Sequence, residues 1–298
     1  MAAMAWDLGR AAALAAKAGV SAFGAFSASV AFFTAFPKPW IYLKQERVSL
    51  ARLEAEDGLS YEELRLADGG KAWLVARGTS GDAAICLCHG RSKHKAHNRP
   101  LIRALASQYT VLAFDFPGHG ENAYGPTSLG WREAGTVQYA LDALQREGFQ
   151  RVLLYGCSMG GAAALINQAR EPSSLVRGVI TDGTFGSFSD SFRALVELNG
   201  WWMPSPLRGV LFYTSLKLAG LLAGYDPWSV RPAESIKDIS VPVLILQGRS
   251  DSLVPPYNAE QLQRGARQGC VHFYQGGHDE PNNPEVQEAI LSFAKKLW

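Results

Sequence analysis

Apolar and polar positions follow two rhythms along this chain. The first is a single uncharged stretch between Lys17 and Lys38, made largely of Ala, Val and Phe. The second begins near residue 61, where short apolar runs alternate with segments of helical periodicity. Runs over 61–66 and 71–76 flank Ala67-Asp68-Gly69-Gly70 and predict a hairpin. Further strands are predicted over 83–88, 110–116, 151–156, 176–181, 243–247 and 271–274, with helices over 99–107, 131–147, 159–169, 259–266 and 284–296. Val152-Leu153-Leu154-Tyr155 and Val243-Leu244-Ile245-Leu246 are apolar at every position, which suits parallel strands buried on both faces. The pattern therefore predicts an α/β class with an eight-stranded, mostly parallel sheet, helices on both faces, and an antiparallel hairpin opening it. Residues 47–60 read as a charged connector. About 60 residues separate the strand ending near Thr181 from the one starting near Val243, far more than an ordinary connection needs. Their apolar content predicts a small helical cap over 186–228, inserted at the carboxyl edge of the sheet.

The uncharged residues 18–37 are numerous enough to cross a bilayer at 1.5 Å rise each. They predict a single membrane helix within an N-terminal segment, 1–40, that precedes the main domain, 41–298. Their composition offers alternatives, because Ala, Gly and Ser dominate and neither Leu nor Ile occurs. Arg10 and Lys17 before the run and small residues around Ser27 and Ser29 also fit a cleaved signal peptide, which would make the protein secreted or periplasmic. A helix docked on the domain, or lying flat on a membrane surface, is the third reading. Flanking cations on both sides leave the orientation undecided.

Composition narrows the class further. With 298 residues, 47% hydrophobic and 19% charged, the chain is long enough to bury a large core without cross-links, and it is not a disordered chain. The 29 Lys and Arg against 27 Asp and Glu leave no basic excess of the kind nucleic-acid binding needs, so no nucleic-acid partner is expected. Cys86, Cys88, Cys157 and Cys270 have neither zinc spacing nor a secreted framework, and read as free thiols.

The chemistry lies at the ends of the predicted strands. Gly156-Cys157-Ser158-Met159-Gly160 matches G-x-S-x-G, and it follows an apolar strand and precedes the helix former Ala162-Ala163-Ala164-Leu165. A serine at its ordinary pKa is a weak nucleophile and needs a base with an orienting acid. His278 follows the last strand, and Asp251 follows the strand before it. Asp182, after the strand over 176–181, is the rival acid. All these positions fall where the loops of an open α/β sheet make a crevice.

Ser158, Asp251 and His278 in these settings, together with Cys88-His89-Gly90 and Asp115-Phe116-Pro117-Gly118-His119-Gly120, resemble the α/β-hydrolase superfamily over residues 60–298. An apolar N-terminus leading directly into such a domain resembles the membrane-anchored Bem46/ABHD-type branch. The resemblance implies a catalytic triad of Ser158, Asp251 and His278, and an oxyanion hole from the backbone N–H groups of Met159 and Arg91. It implies a hydrolase that cleaves a carboxylic ester or thioester of an acyl-lipid-like or other small-molecule substrate through an acyl-enzyme, with no cofactor and no metal. Amidase or peptidase action by the same triad, and a non-catalytic membrane-tethered binding module, are the alternatives. His89 and His119 read as loop-shaping residues.

Two segments bear on substrate. Residues 91–99 hold Arg91, Lys93, Lys95 and Arg99 with His94 and His97 and no acid. They are either a solvated loop or an electropositive mouth in which Lys93 and Lys95 attract anionic substrates. In the cap, Trp201, Trp202 and Phe212 are candidates for an acyl groove, against ordinary packing of the cap onto the domain.

Overall fold

The computed structural model describes residues 19, 21–37, 49–76 and 81–298. Helix α1 (residues 21–35) is followed by α2 (Leu50–Asp57), the hairpin β1 (Ser60–Arg65) and β2 (Lys71–Ala76), then β3 (Ala83–Cys88), α3 (Arg99–Leu105) and β4 (Thr110–Phe114). Next come α4 (Glu133–Arg146), β5 (Arg151–Cys157), α5 (Met159–Arg170), β6 (Val176–Asp182), α6 (Phe188–Asn199) and α7 (Ser205–Ala223). The chain ends with β7 (Val243–Gly248), α8 (Tyr257–Gly265), β8 (Gly269–Tyr274) and α9 (Pro284–Leu297). The strands form one eight-stranded sheet ordered β1-β2-β4-β3-β5-β6-β7-β8. The hairpin joins it antiparallel through β2 and β4, and every pairing from β4 to β8 is parallel, as the alternating pattern predicts.

The all-apolar runs are buried on both faces because successive side chains point to opposite sides of a strand. On β3, Cys86 and Cys88 join a core with Val137, Leu141 and Leu144 of α4. Ile85 and Leu87 join a second core with Leu101 of α3 and Ile290 of α9. Residues 50–57, expected to be a connector, are helical. Ser49 caps the start by accepting from the Arg52 N–H, and Gly58, at φ 64°, closes the end through its N–H to the Glu54 carbonyl. A single buried residue, Leu53, anchors that helix, too weak a periodic signal to read among its charges.

The cap consists mainly of α6 and α7. Its interior is an aromatic run in which Phe188, Phe192 and Phe212 follow one another at centroid separations of 6.1 and 6.0 Å, and Trp228 meets Phe212 at 6.4 Å.

The membrane-span expectation for the N-terminal stretch finds no support among the described residues. No helix among the described residues is long and apolar enough to cross a membrane. Instead, α1 lies on α7: Ala31 and Ala35 are fully buried against Ala219 and Ala223, and the Ser27 carbonyl accepts a 3.2 Å bond from the Ser215 hydroxyl. The small residues that weaken this stretch as a bilayer span are what allow the two helices to approach closely. Residues 1–18 and 38–48 of the anticipated N-terminal segment and its junction lie outside the described residues.

Candidate active site

Ser158 sits in the turn between β5 and α5 at φ 51°, ψ −115°. That backbone conformation is costly for a residue with a side chain, about 1–3 kcal/mol. It is held in place by the Ser158 N–H, which donates to the Asp182 carbonyl at 2.8 Å, and by close approach on both flanks. A Cβ on Gly156 would overlap the Gly160 backbone, and one on Gly160 would overlap the Cys88 carbonyl at the end of β3. The G-x-S-x-G glycines are thus steric requirements of a tight strand-to-helix turn.

Asp251 and His278, on the loops after β7 and β8, meet with Oδ2 to Nδ1 at 2.7 Å. The other carboxylate oxygen accepts from the N–H groups of Leu253 at 2.9 Å and Val254 at 2.8 Å, which fixes its orientation. Burial pushes the His278 pKa down, but the bond to Asp251 and the charges of Asp251, Asp279 and Asp182 outweigh it, and the net shift is upward. Asp182, the rival acid, has other partners. Its oxygens accept from the hydroxyls of Tyr155 at 3.0 Å and Tyr274 at 2.9 Å, and burial, opposed by those two bonds, raises its pKa to about 7.

The loop after β3 approaches the serine from the other side, since a Cβ on Gly90 would lie 3.6 Å from Ser158 Cβ. His89 beneath it is fully buried, and burial drives its pKa well down, so the ring is neutral. Its Nε2 accepts from the Phe116 N–H at 3.0 Å, which leaves the proton on Nδ1 to donate to the Gly90 carbonyl at 2.8 Å. Because the peptide is planar, pinning the Gly90 carbonyl also pins the Arg91 N–H on its opposite side. Met159 opens α5, so its N–H is one of the first-turn donors that the helix ladder leaves over. His119, also buried, bonds the Pro117 carbonyl at 3.0 Å within its turn.

A cavity of about 410 Å³ lies over these groups, with Ser158 and His278 in its wall and Phe185, Phe188, Phe192, Leu195, Leu129 and Val254 making it mainly apolar. All four non-glycine residues with positive φ among the described residues, Ser92, Leu129, Ser158 and Asp279, line it. Backbone strain is therefore concentrated at this one place.

The basic segment 91–99 forms neither a free electropositive mouth nor a solvated loop. Lys95 is buried, with Nζ 2.5 Å from Asp115 Oδ2 and 3.3 Å from Glu121, away from the cavity wall. Arg99 pairs with Asp57 and Glu56 on α2, and Arg91 donates to the Phe33 and Phe36 carbonyls. Lys93 does line the cavity, but its Nζ lies 3.4 Å from Asp279 Oδ2. Asp279, which sequence reasoning passed over as a neighbour of His278, also has His97 Nε2 at 3.0 Å. Burial favours its neutral form, yet His97 and Lys93 hold its pKa down at about 2. In the cap, Trp201 (78% exposed) and Trp202 (63%) face solvent, and Phe212 is buried in the aromatic run, so none of the three reaches the cavity. Among the described residues no group of three or more His, Cys, Asp or Glu side chains is placed to hold a metal ion.

A family model described as the alpha/beta hydrolase family matches residues 87–289. An alpha/beta hydrolase domain-containing protein of Arabidopsis thaliana, WAV2, is 26% identical over 260 residues, covering 80% of this chain and 78% of that one. The pimeloyl-[acyl-carrier protein] methyl ester esterase of Vibrio atlanticus is 25% identical over 250 residues, covering 71% of this chain and 94% of that one. In fold, the solved structure of an esterase of Pyrococcus furiosus superposes with a TM-score of 0.64 at 21% identity, over 85% of this chain and 97% of that one.

Proposed function

The chain belongs to the alpha/beta hydrolase family, and from that premise we propose that it is a serine hydrolase cleaving a carboxylic ester or thioester with an apolar acyl group. The observation that carries this reading is the 2.7 Å Asp251–His278 bond beside a strained Ser158 in one apolar-walled cavity. His278 Nδ1–H donates to Asp251, which leaves Nε2 as the base. Ser158 Oγ attacks the carbonyl carbon, its proton passes to His278, and the carbonyl oxygen becomes an oxyanion facing the N–H groups of Met159 and Arg91. Collapse breaks the bond to the alcohol or thiol, which takes the proton from His278. Water, deprotonated by the same imidazole, then releases the acid and restores Ser158.

The walls favour an uncharged acyl group, because the cations bordering the cavity are matched by Asp279 and by helix carbonyls. A lipid surface as the source of substrate is supported by the outer face of the cap. Trp201, Trp202, Leu207, Val210, Tyr213 and Leu221 are exposed there, and from Leu198 to Tyr225 the chain has Arg208 and Lys217 but no acid. Labelling by a fluorophosphonate probe tests the core of this reading. Wild type should be labelled and Ser158→Ala should not; an unlabelled but folded wild type would refute it.

A further inference from the structure

The end of α1 is part of the cavity. Phe33 and Thr34 line it together with Ser158, His278 and the cap residues Phe188 and Phe192. The Thr34 hydroxyl is engaged one turn back, 2.7 Å from the Val30 carbonyl, so its methyl is the uncommitted end of the side chain.

This segment is fastened at four points. The Arg91 guanidinium donates to the Phe33 carbonyl and, at 2.5 Å, to the Phe36 carbonyl, groups that a helix C-terminus leaves unsatisfied. The Thr127 N–H donates to the Ala35 carbonyl at 2.8 Å, and the Tyr124 hydroxyl to the Pro37 carbonyl at 2.8 Å. Two of these anchors adjoin the proposed oxyanion donors. Arg91 supplies one of those N–H groups itself, and the Thr127 hydroxyl lies 3.1 Å from the Met159 sulfur.

We propose that the C-terminal turn of α1 is a strap closing the acyl site, in which Phe33 and Thr34 set the acyl length accepted and Arg91 holds the strap to the oxyanion loop. The length preference rests on the esterase reading; the fastening does not. Residues 21–37 then belong to the substrate-recognition machinery of the domain, a different role from that of an appended anchor. Arg91 lines the cavity while its guanidinium donates to carbonyls at the end of α1.

The experiment uses the full chain and compares kcat/KM for p-nitrophenyl octanoate and acetate in wild type, Thr34→Trp and Phe33→Ala. A ratio within one protein is insensitive to a partly unfolded sample. Thr34→Trp should lower the octanoate-to-acetate ratio about tenfold, the effect of excluding roughly two methylenes, and Phe33→Ala should raise it. Ratios within twofold of wild type in both variants would overturn the assignment of length selection. Hydrogen exchange supplies the second arm. Amides of residues 21–35 should be protected in wild type and exchange at least tenfold faster in Arg91→Met, and equal protection would overturn the latch. A wild type that cleaves neither ester refutes the hydrolase reading, while the exchange measurement still decides whether Arg91 fastens the strap.

Discussion

Asp182→Asn probes a proton that the fold keeps beneath the active site. Asp182 is fully buried between two tyrosine hydroxyls, and its pKa is raised from 3.8 to about 7. A group whose folded-state pKa lies above its unfolded value contributes stability that is whole below the unfolded pKa and is lost as pH rises through the folded one. The window is therefore about pH 4 to 7, where the unfolded chain ionises this group and the native state keeps it protonated. At 1.36 kcal/mol per unit, the displacement amounts to about 4 kcal/mol once both states are ionised, with roughly 2–3 kcal/mol of it accruing between pH 5 and pH 8. Asparagine carries no such proton, and its amide can both accept from one tyrosine hydroxyl and donate to the oxygen of the other. Urea unfolding of both proteins at pH 5 and pH 8 should show the variant gaining roughly 2–3 kcal/mol on wild type over that interval. Esterase activity should fall less than tenfold, because His278 is bonded to Asp251 and not to Asp182. A stability difference independent of pH would refute the buried proton. A loss of activity as large as that of Asp251→Asn would refute the choice of acid.

Three further outcomes are expected. In wild type the acid limb of kcat/KM should lie above the ordinary histidine value of 6.5, since His278 must be neutral to accept a proton and its pKa is raised; Asp251→Asn should move the limb down, leaving burial as the main influence, and cut kcat about 10⁴-fold. Lys95→Met leaves Asp115 buried without its cation and should cost about 3–5 kcal/mol in urea unfolding, while the preference between anionic and neutral esters stays the same; a selective loss of anionic esters would restore the electropositive mouth. If the exposed cap face meets lipid, wild type should float with phosphatidylglycerol vesicles and Trp201→Glu/Leu221→Glu should do so at least tenfold less, and wild type remaining in the buffer would refute that source of substrate.

The parts of this protein legible from sequence are those governed by local chemistry. The buried parallel strands announce themselves as runs such as Val243-Leu244-Ile245-Leu246, and Ser158 is marked by glycines whose absent Cβ atoms the turn requires. In the sequence Asp251 is favoured over Asp182 only through the family resemblance; in three dimensions the two differ by their partners, His278 for Asp251 in the loop after β7 and the hydroxyls of Tyr155 and Tyr274 for Asp182 at the end of β6. The basic run 91–99 misled because its counter-charges are remote in sequence: Lys95 finds Asp115 twenty residues on, Arg99 finds Asp57 on α2, and Arg91 finds carbonyls of α1. For the same reason the packing of α1 on α7 is hidden in the sequence. The uncharged length of residues 18–37 is visible in the sequence, whereas Ala219 and Ala223, against which Ala31 and Ala35 pack, lie nearly two hundred residues away.

The central claim is that Ser158 forms an acyl-enzyme. Rapid mixing of the full-length protein with p-nitrophenyl octanoate, followed by acid quench, intact mass and peptide mapping, tests it most directly. The account predicts a burst of nitrophenol approaching one equivalent per chain and a single octanoyl adduct on the peptide containing Ser158, absent in Ser158→Ala. Turnover with an adduct on another residue, or undiminished turnover in Ser158→Ala, would contradict it.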